Sequence, residues 1–432
     1  MLYRQTIQNC LAEAVAGGVP EAALAARLVA ADDALAKIRA AAGGGKMAFL
    51  AQPARRDDLK TIAATADYFR ATFRHVVVLG TGGSSLGGQA LVALVQGAEG
   101  GAPRAPRLSF VDNADPAALA PLLDPDRLRE SGVIAISKSG GTTETVAQML
   151  RVIDAVRGAE SPAALGTRLA VVTQPGDSPL RRLAERFGLP VLDHPGDVGG
   201  RFSALTVSGL LPAMIAGLDG AAIRAGGQAV VAALDGVAAA DYAPALGAAV
   251  AAALAAEAGC SQTVLMPYGG RLRPLAAWWR QLWAESLGKD GAGTTPIDAL
   301  GSADQHSQLQ LYLDGPGDKM FTILGVDEAD PDPPFSADLT ADPDLRYLAG
   351  RGLGDILTAM RRVTVDALVA AGRPVREIAI PRLDGAAMGA LMMHFMIETV
   401  IMAHLMNVDP FGQPAVEDGK RRARAYLEKG TA

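Results

Sequence analysis

The sequence predicts an α/β protein in which helices cover both faces of parallel sheets. Between residues 75 and 194, helical stretches alternate with five short apolar runs: HVVVLG, RLSFVD, VIAISK, LAVVTQ and PVLDH. Runs rich in β-branched residues are typical of buried strands, and their alternation with helices indicates parallel βαβ units in an open, doubly wound sheet. A second series, TVLMPYG, MFTILGV and VREIAIP, predicts a second and less regular α/β unit.

The chain is too long for one ordinary core, because 432 residues suggest two or three domains. We expect a helical N-terminal segment at 1–70, a first α/β domain at 71–202 that carries an anion site, and a second at 203–407. Residues 408–432 are expected to form a turn and a helix that return to the functional site. The Pro- and Asp-rich stretch DEADPDPPFSADLTADPD predicts an exposed loop.

Composition argues against several classes of protein. A formal net charge of −6 gives no electrostatic reason to expect nucleic-acid binding. The two cysteines, Cys10 and Cys260, lie outside any CxxC pattern, so we expect buried thiols in a reducing compartment. The N-terminus does not resemble a signal peptide, and the apolar runs fall short of the roughly 18 residues that a membrane span needs. We therefore expect a soluble, cytoplasmic protein without a membrane partner.

The stretch SKSGGTTET, residues 137–145, has the composition of an anion site. It combines five hydroxyl side chains, two glycines and Lys138 between a predicted strand and a predicted helix. The first N–H groups of a helix lack partners and the dipole is positive at that end, so the turn can bind a phosphate. A plain polar turn is the alternative.

A glycine turn follows the first predicted strand in VVVLGTGGSSLGGQAL. A dinucleotide fingerprint would need glycine at Ser85, and a Walker A motif would need lysine after Gly87, so neither nucleotide motif fits. A turn that lets a ligand approach the backbone does fit. Both loops follow strands of one sheet, so they mark its carboxyl edge, where open α/β sheets place their sites.

Two further stretches contain charged residues in informative surroundings. Arg201 follows two glycines in VGGRFSALT, and a surface arginine is the alternative interpretation. In WWRQLWAESLGKDG, Trp279 and Trp283 belong to a core face at helical spacing, whereas Glu285 is either solvated or lines a cleft. The neighbouring tryptophans would raise the pKa of the Glu285 carboxyl toward neutrality.

The histidines are weaker signals. His306, in GSADQHSQLQ, stands alone, and a lone histidine is more often a structural hydrogen-bonding group than a catalytic one. His394 and His404 lie in an apolar helix where core packing is the default. His394 and Glu398 have the i, i+4 spacing of a metal pair, but no third ligand is apparent. We expect no metal and no cofactor.

Six stretches together closely resemble the glucose-6-phosphate isomerase (phosphoglucose isomerase) family: GTGGSSLGG, SKSGGTTET, GGRFS, QLWAESLGK, GSADQHSQLQ and PFGQPAVEDGK. They occur in the family's order between about residues 78 and 422. The resemblance implies two sugar-isomerase (SIS) αβα sandwich domains, a cofactor-free aldose–ketose isomerisation in glycolysis and gluconeogenesis, and a homodimer. The chain is short for the family, and its first seventy residues match nothing in it.

The resemblance also implies roles for individual residues. The phosphate ligands would be Ser137, Lys138, Ser139, Thr142 and Thr145. The sugar contacts would be Gly83, Ser84, Gln281 and Gln413. Glu285 would be the catalytic base, Arg201 would stabilise the enediolate, and His306 and Lys420 would assist ring opening. In the family, the histidine that matches His306 reaches the site of the neighbouring subunit.

Three alternatives remain open at this stage. A bifunctional glucose/mannose-6-phosphate isomerase differs only in details of the pocket. A non-catalytic sugar-phosphate sensor would need the phosphate loop but no base. A nicotinamide-dependent dehydrogenase is favoured only by the first glycine turn and by Asp112, which follows the second strand.

Overall fold

The computed structural model describes residues 2–41, 44–96, 105–159, 163–328 and 332–430. The strands are β1 (Arg4–Thr6), β2 (His75–Leu79), β3 (Arg107–Val111), β4 (Ser131–Ile136), β5 (Leu169–Thr173), β6 (Val191–Asp193), β7 (Gln262–Pro267), β8 (Thr295–Asp298), β9 (Lys319–Val326) and β10 (Val375–Ile380). They form two five-stranded sheets.

Sixteen α-helices are found in the described ranges. They are α1 (Glu21–Ala41), α2 (Leu59–Thr72), α3 (Leu86–Gln96), α4 (Pro116–Leu119), α5 (Pro125–Arg129), α6 (Thr143–Ala159), α7 (Ala163–Arg168), α8 (Pro179–Phe187), α9 (Val207–Ile215), α10 (Gly220–Ala232), α11 (Ala243–Glu257), α12 (Arg273–Leu287), α13 (Leu309–Asp314), α14 (Leu353–Ala370), α15 (Gly385–Leu405) and α16 (Pro414–Lys429).

The first sheet is the predicted doubly wound one. Its order is β3-β2-β4-β5-β6 and all of its strands are parallel. Each of the five predicted runs forms one of these strands, because helices cover both faces of the sheet and the strands can be apolar throughout. The chain moves from β2 outward to β3 and then crosses to β4 on the other side of β2. The switch point therefore lies between β2 and β4, where open sheets bind ligands.

The second sheet has the order β1-β10-β9-β7-β8. Three of its strands were predicted, whereas β8 and β1 were not. The four residues of β8 include Pro296 and are too few to show a period. The N-terminal segment is not wholly helical, since β1 pairs antiparallel with β10 and aligns Arg4 with Ala379. The first residues of the chain thus complete the sheet of its second half.

Helix α15 is the centre of the helical layer and packs against α1, α10, α11 and α12. The sequence analysis found no apolar run long enough to span a membrane, and this helix corrects that view. Its 21 residues, with a mean hydropathy of 1.6, meet the length and composition of a span, but 94% of the window is buried inside the protein. Core packing accounts for its apolar composition.

A buried ionic network joins α15 to the second sheet. His394 and Glu398 are both 0% exposed, and their side chains are 2.9 Å apart. Arg376 of β10 donates to the other oxygen of Glu398 at 2.5 Å, and the hydroxyl of Tyr3 lies 2.8 Å from Nδ1 of His394. Both ring nitrogens of His394 are therefore occupied by protein partners.

Protonation in this network follows from its contacts. Burial alone would raise the pKa of the Glu398 carboxyl, but Arg376 and His394 outweigh burial and lower it. Burial lowers the pKa of His394, and the contact with Glu398 only partly offsets this effect. A carboxylate can only accept, so Nε2 of the neutral imidazole carries the proton and Nδ1 accepts from Tyr3.

We predict that Arg376→Met lowers the free energy of unfolding by about 3–5 kcal/mol, because it leaves a buried carboxylate without its cation. Urea unfolding followed by circular dichroism measures this change. Arg424→Met, which removes an exposed ion pair with Glu428, is the control and should have little effect. Adding Glu398→Gln to Arg376→Met should restore part of the loss. Equal effects of Arg376→Met and Arg424→Met would contradict the prediction.

Candidate active site

Two loops meet at the switch point of the first sheet. One follows β2 and contains a 3-10 turn at Gly82–Ser84, and the other follows β4 and leads into α6. Because β2 and β4 are hydrogen-bonded neighbours, their carboxyl ends lie side by side. The loops predicted from the glycine turn and from SKSGGTTET are thus adjacent.

The SKSGGTTET loop is closely built around Gly140. Its φ is +64°, and a Cβ there would lie 2.2 Å from Oγ of Ser178, so a side chain is excluded for both reasons. The hydroxyls of Ser137 and Thr142 are 2.8 Å apart, and Oγ of Ser139 accepts from the N–H of Gly141 at 3.3 Å. These contacts fix a turn at the N-terminus of a 17-residue helix.

Thr145 and Lys138 complete the loop's capacity to bind an anion. Thr145 is 0% exposed, and its hydroxyl has no hydrogen-bond partner among the described residues. The Lys138 side chain is half-buried. Burial lowers its pKa, and the nearby Asp197 offsets part of that effect. A buried hydroxyl without a partner, a lysine and a helix N-terminus are groups that phosphate oxygens satisfy.

His194 lies at the same sheet edge, directly after β6. It is 1% exposed and its Nδ1 is 2.8 Å from the carbonyl of Pro195, so Nδ1 carries the proton. Burial lowers the pKa of His194 and the charge of Lys138 acts in the same direction, so that the pKa is about 4. The imidazole is therefore neutral beside the lysine. The sheet-edge argument would have selected this residue from PVLDH, but the sequence analysis did not apply it there.

Arg201 is the most highly coordinated side chain of the site. It is 4% exposed, and its Nε donates to Oγ of Ser286 at 2.8 Å. One terminal nitrogen donates to Glu285 at 3.2 Å and to Gln413 at 3.3 Å. The alternative of a surface arginine was wrong. Burial lowers the pKa of Arg201, and the Glu285 carboxylate opposes that effect.

The other terminal nitrogen of Arg201 donates to two main-chain carbonyls, those of Pro410 and Gly412. We call residues 409–412 the strap. Sequence reasoning missed it, because a carbonyl leaves no signal in residue identity. It also missed Ser286, although that residue directly follows Glu285.

Glu285 lies near the end of α12 and is one-third exposed. The expectation that tryptophans surround its carboxylate was wrong. At about 100° per residue, Trp279 and Trp283 project to the side of the helix roughly opposite Glu285. They pack in the core, where Trp279 contacts Phe395. The carboxylate faces the guanidinium of Arg201 instead.

The predicted sugar-contact residues border this pair. A Cβ on Gly83 would lie 2.2 Å from the carbonyl carbon of Gly200, so the glycine turn packs directly on the backbone that carries Arg201. A Cβ on Gly82 would lie 2.7 Å from Nε2 of Gln281. Oε1 of Gln281 is buried without a hydrogen-bond partner among the described residues. Ser84 ends the 3-10 turn of the same loop.

Among the described residues, no hydrogen bond or ion pair joins His306 or Lys420 to Glu285. His306 is exposed, and Asp304, two residues before it, lies close enough to Arg273 for that charge to lower its pKa. Arg273 begins α12 and Glu285 lies 12 residues later, which is about 18 Å along the helix axis. Lys420 is 64% exposed and pairs with Glu417 at 2.8 Å on α16.

The features on which the assignment depends are two α/β sheets, parallel except for β1, a loop at a switch point whose groups suit an anion (the anion loop, residues 137–145), and a carboxylate paired with a buried guanidinium. They are typical of a sugar isomerase built on SIS-type domains. Residues 56–306 match the family model of phosphoglucose isomerase. The chain belongs to the phosphoglucose isomerase family.

Similar proteins agree with this assignment. A glucose-6-phosphate isomerase of Rubrobacter xylanophilus is 38% identical over 390 residues, which cover 88% of each chain. The crystal structure of a hypothetical protein from Thermus thermophilus is 32% identical and has a TM-score of 0.86, and the match covers 98% of this chain and 99% of that one. A glucose-6-phosphate isomerase of Chlamydia trachomatis shares the fold, with a TM-score of 0.80 at 21% identity over 96% of this chain and 87% of that one.

We predict that His194 makes the protein less stable in acid. Its pKa is lowered from 6.5 to about 4 in the folded state, so the unfolded chain binds more protons between these values. Stability is fully present above about pH 6.5 and is lost as the pH falls toward 4, by about 3 kcal/mol at most. Unfolding at pH 7 and pH 5 should show a smaller difference for His194→Gln than for the wild type. His306→Gln, which changes an exposed histidine, should keep the wild-type difference in stability between pH 7 and pH 5. The same difference in all three proteins would contradict the prediction.

Proposed function

We propose that this protein interconverts glucose 6-phosphate and fructose 6-phosphate by proton transfer through a cis-enediolate. The observation that carries the proposal is the contact of 3.2 Å between Glu285 and Arg201, at the edge where the anion loop lies. The name of the Rubrobacter relative supports the same substrates. The activity would serve glycolysis and gluconeogenesis in the cytoplasm.

The pair fits the chemistry of this reaction. Moving a proton between carbons 2 and 1 requires a positioned base, because the substrate is a weak carbon acid. The negative charge that develops on the sugar oxygen requires a fixed cation. Arg201 cannot lose its proton at neutral pH, and its other contacts hold the guanidinium in place. Glu285 is exposed enough to meet a substrate.

The anion loop would bind the phosphate group of the substrate, which lies away from the reacting carbons. Binding energy gained at the phosphate can orient the sugar chain over Glu285, which raises the rate of a step that occurs elsewhere on the molecule. Gln281 and the glycine turn lie between the loop and the arginine, so they are suited to contact the sugar hydroxyls. Their identity does not distinguish glucose from mannose, and a bifunctional enzyme is the second candidate.

We further infer that the protein acts as a homodimer in which His306 serves the partner's site. The side chain of Gln305 bonds to Thr364 at 2.6 Å, and this contact holds the His306 turn against α14. Next to that turn, Val363 is 54% exposed and Leu311, on the adjoining α13, is 53% exposed. Neighbouring exposed apolar side chains are typical of an interface between subunits. Asp304, two residues before His306, lies near Arg273 at the start of α12, whereas Glu285 lies near the end of that helix. This separation supports the same arrangement.

Lys420 would assist ring opening after a movement of α16. The helix begins next to Gln413, whose side chain contacts Arg201, and Lys420 lies seven residues further, about 10 Å along the axis. No residue of α16 is buried, so little packing opposes a tilt toward the sugar.

We predict that Glu285→Gln lowers kcat at least about 100-fold while substrate binding is retained, because the amide cannot accept the proton. A coupled assay with fructose 6-phosphate measures turnover, and calorimetry measures binding. Glu257→Gln makes the same change at an exposed position and is the control. If the wild type bound the substrate without converting it, the sensor alternative would replace the isomerase. Near-normal turnover of Glu285→Gln would remove the assignment of the base.

The shared site can be tested by mixing two inactive variants, Glu285→Gln and His306→Asn. After joint unfolding and refolding, random pairing gives about half mixed dimers, and each contains one intact site. About a quarter of all sites should therefore be active. Each variant refolded alone is the control. Dimers that form without activity above these controls would show that both residues belong to one chain's site, and would leave the isomerase assignment standing.

A further inference from the structure

The carbonyls of the strap alternate between two cations. Those of Pro410 and Gly412 accept from Arg201, whereas those of Asp409 and Phe411 accept from the ammonium group of Lys289. The contact with Phe411 is 2.9 Å. The strap is a turn rather than a strand, with a bend at Phe411 and a φ of +71° at Gly412, and its four carbonyls are divided between the two cations. The strap lies between Lys289 and the catalytic arginine.

Lys289 is well placed for this contact. It follows the last residue of α12 by two positions, and its N–H donates to the carbonyl of Leu287. The side chain is partly buried. Burial lowers its pKa, and the positive charge of Arg201 lowers it further, which shows that the two cations lie near each other. The carbonyls between them satisfy both charges.

The remaining contacts of the strap are weaker or more exposed. Lys46 pairs with the carboxylate of Asp409 at 2.7 Å, but the two side chains are 69% and 53% exposed. The ring of Phe411 packs on Phe202 with centroids 5.6 Å apart. Only Lys289 and Arg201, among the described residues, have side chains that donate to the strap's carbonyls.

We propose that Lys289 is a positioning residue for the isomerase reaction, because it clamps the strap and thereby fixes the guanidinium of Arg201. This proposal rests on the proposed function and explains how the guanidinium of Arg201 is held in place for that reaction. Glu285, Ser286 and Lys289 then form one unit at the end of α12. The carboxylate acts on the substrate, the hydroxyl holds one edge of the guanidinium, and the ammonium holds the strap on its other side.

The clamp should affect turnover more than binding. Without the ammonium, two carbonyls lose a charge-assisted partner and the strap is free to shift away from Arg201. The guanidinium then loses the two acceptors that set its plane. The anion loop follows β4 of the first sheet, and no hydrogen bond or ion pair found among the described residues joins it to the strap, so phosphate binding should persist.

The first test compares Lys289→Met with Lys46→Met. We expect Lys289→Met to lower kcat about 10- to 100-fold, as for a lost charge-assisted hydrogen bond, with KM changed less than about threefold. Lys46→Met also removes a lysine from the strap, but its exposed ion pair contributes little, so kcat should stay within about twofold. An unchanged kcat in Lys289→Met, or equal losses in both variants, would overturn the proposal.

The second test restores the cation chemically. Lys289→Cys treated with 2-bromoethylamine forms a thioether as the thiolate displaces bromide, and the product carries an ammonium group close to the lysine position. Cys10 and Cys260 are buried, and burial raises their pKa values to about 12 and about 11, so both stay unmodified in the folded protein. We expect kcat to recover at least tenfold. Complete alkylation, confirmed by mass spectrometry, without recovery would overturn the proposal.

A third measurement separates the clamp from the proposed function. Hydrogen exchange at residues 409–413 should be faster in Lys289→Met than in the wild type and in Lys46→Met. If the wild type itself does not isomerise fructose 6-phosphate, the proposed function fails, whereas faster exchange would still support the clamp. Equal exchange in all three proteins would contradict the clamp whatever the activity.

Discussion

The buried guanidinium of Arg201 is the constraint on which the arrangement of the site depends. A charged group removed from water must be paired and fully hydrogen-bonded, or its burial is too costly. Its acceptors come from α12, from the strap and from the start of α16. These segments lie more than 80 and more than 200 residues from Arg201, so one side chain requires two remote parts of the chain to meet.

In the proposed reaction, the two sheets contribute different parts of the site. The first sheet supplies the anion loop at its switch point, and the backbone at Gly83 packs against the turn that carries Arg201. The proposed base lies on α12, which follows β7 of the second sheet. Under the proposed function, a substrate held by its phosphate at one sheet would present its carbon chain to a helix of the other. The packing between the two halves sets the distance between binding and chemistry.

The sequence predicted the sheets better than it predicted the contacts of the site. Four of the five strands of the first sheet span five or six residues in apolar runs, and the three-residue β6 was found because its run continues the regular alternation of strands with helices. Strands β1 and β8 are too short to show a pattern and form because neighbouring strands pair with them. Glu285 and Arg201 were selected as candidates from the motifs that contain them, and the structure brings the two side chains together. The orientation of Glu285 away from Trp279 depends on the packing of α12 and could not be predicted. The strap could not be found, because its function resides in main-chain carbonyls that any residue provides.

The pairing of β1 with β10 determines the order in which the molecule can fold. Arg4 aligns with Ala379, and Tyr3 contacts His394, which lies 391 residues further along the chain. During synthesis the first strand leaves the ribosome hundreds of residues before its partner exists. The first sheet, by contrast, is contained in residues 75–193 and can form while translation continues. Because β1 pairs with β10, the second sheet can be completed only after residue 380 has been synthesised. Until then the residues of β1 have no strand to pair with, and their backbone N–H and C=O groups stay open to other partners.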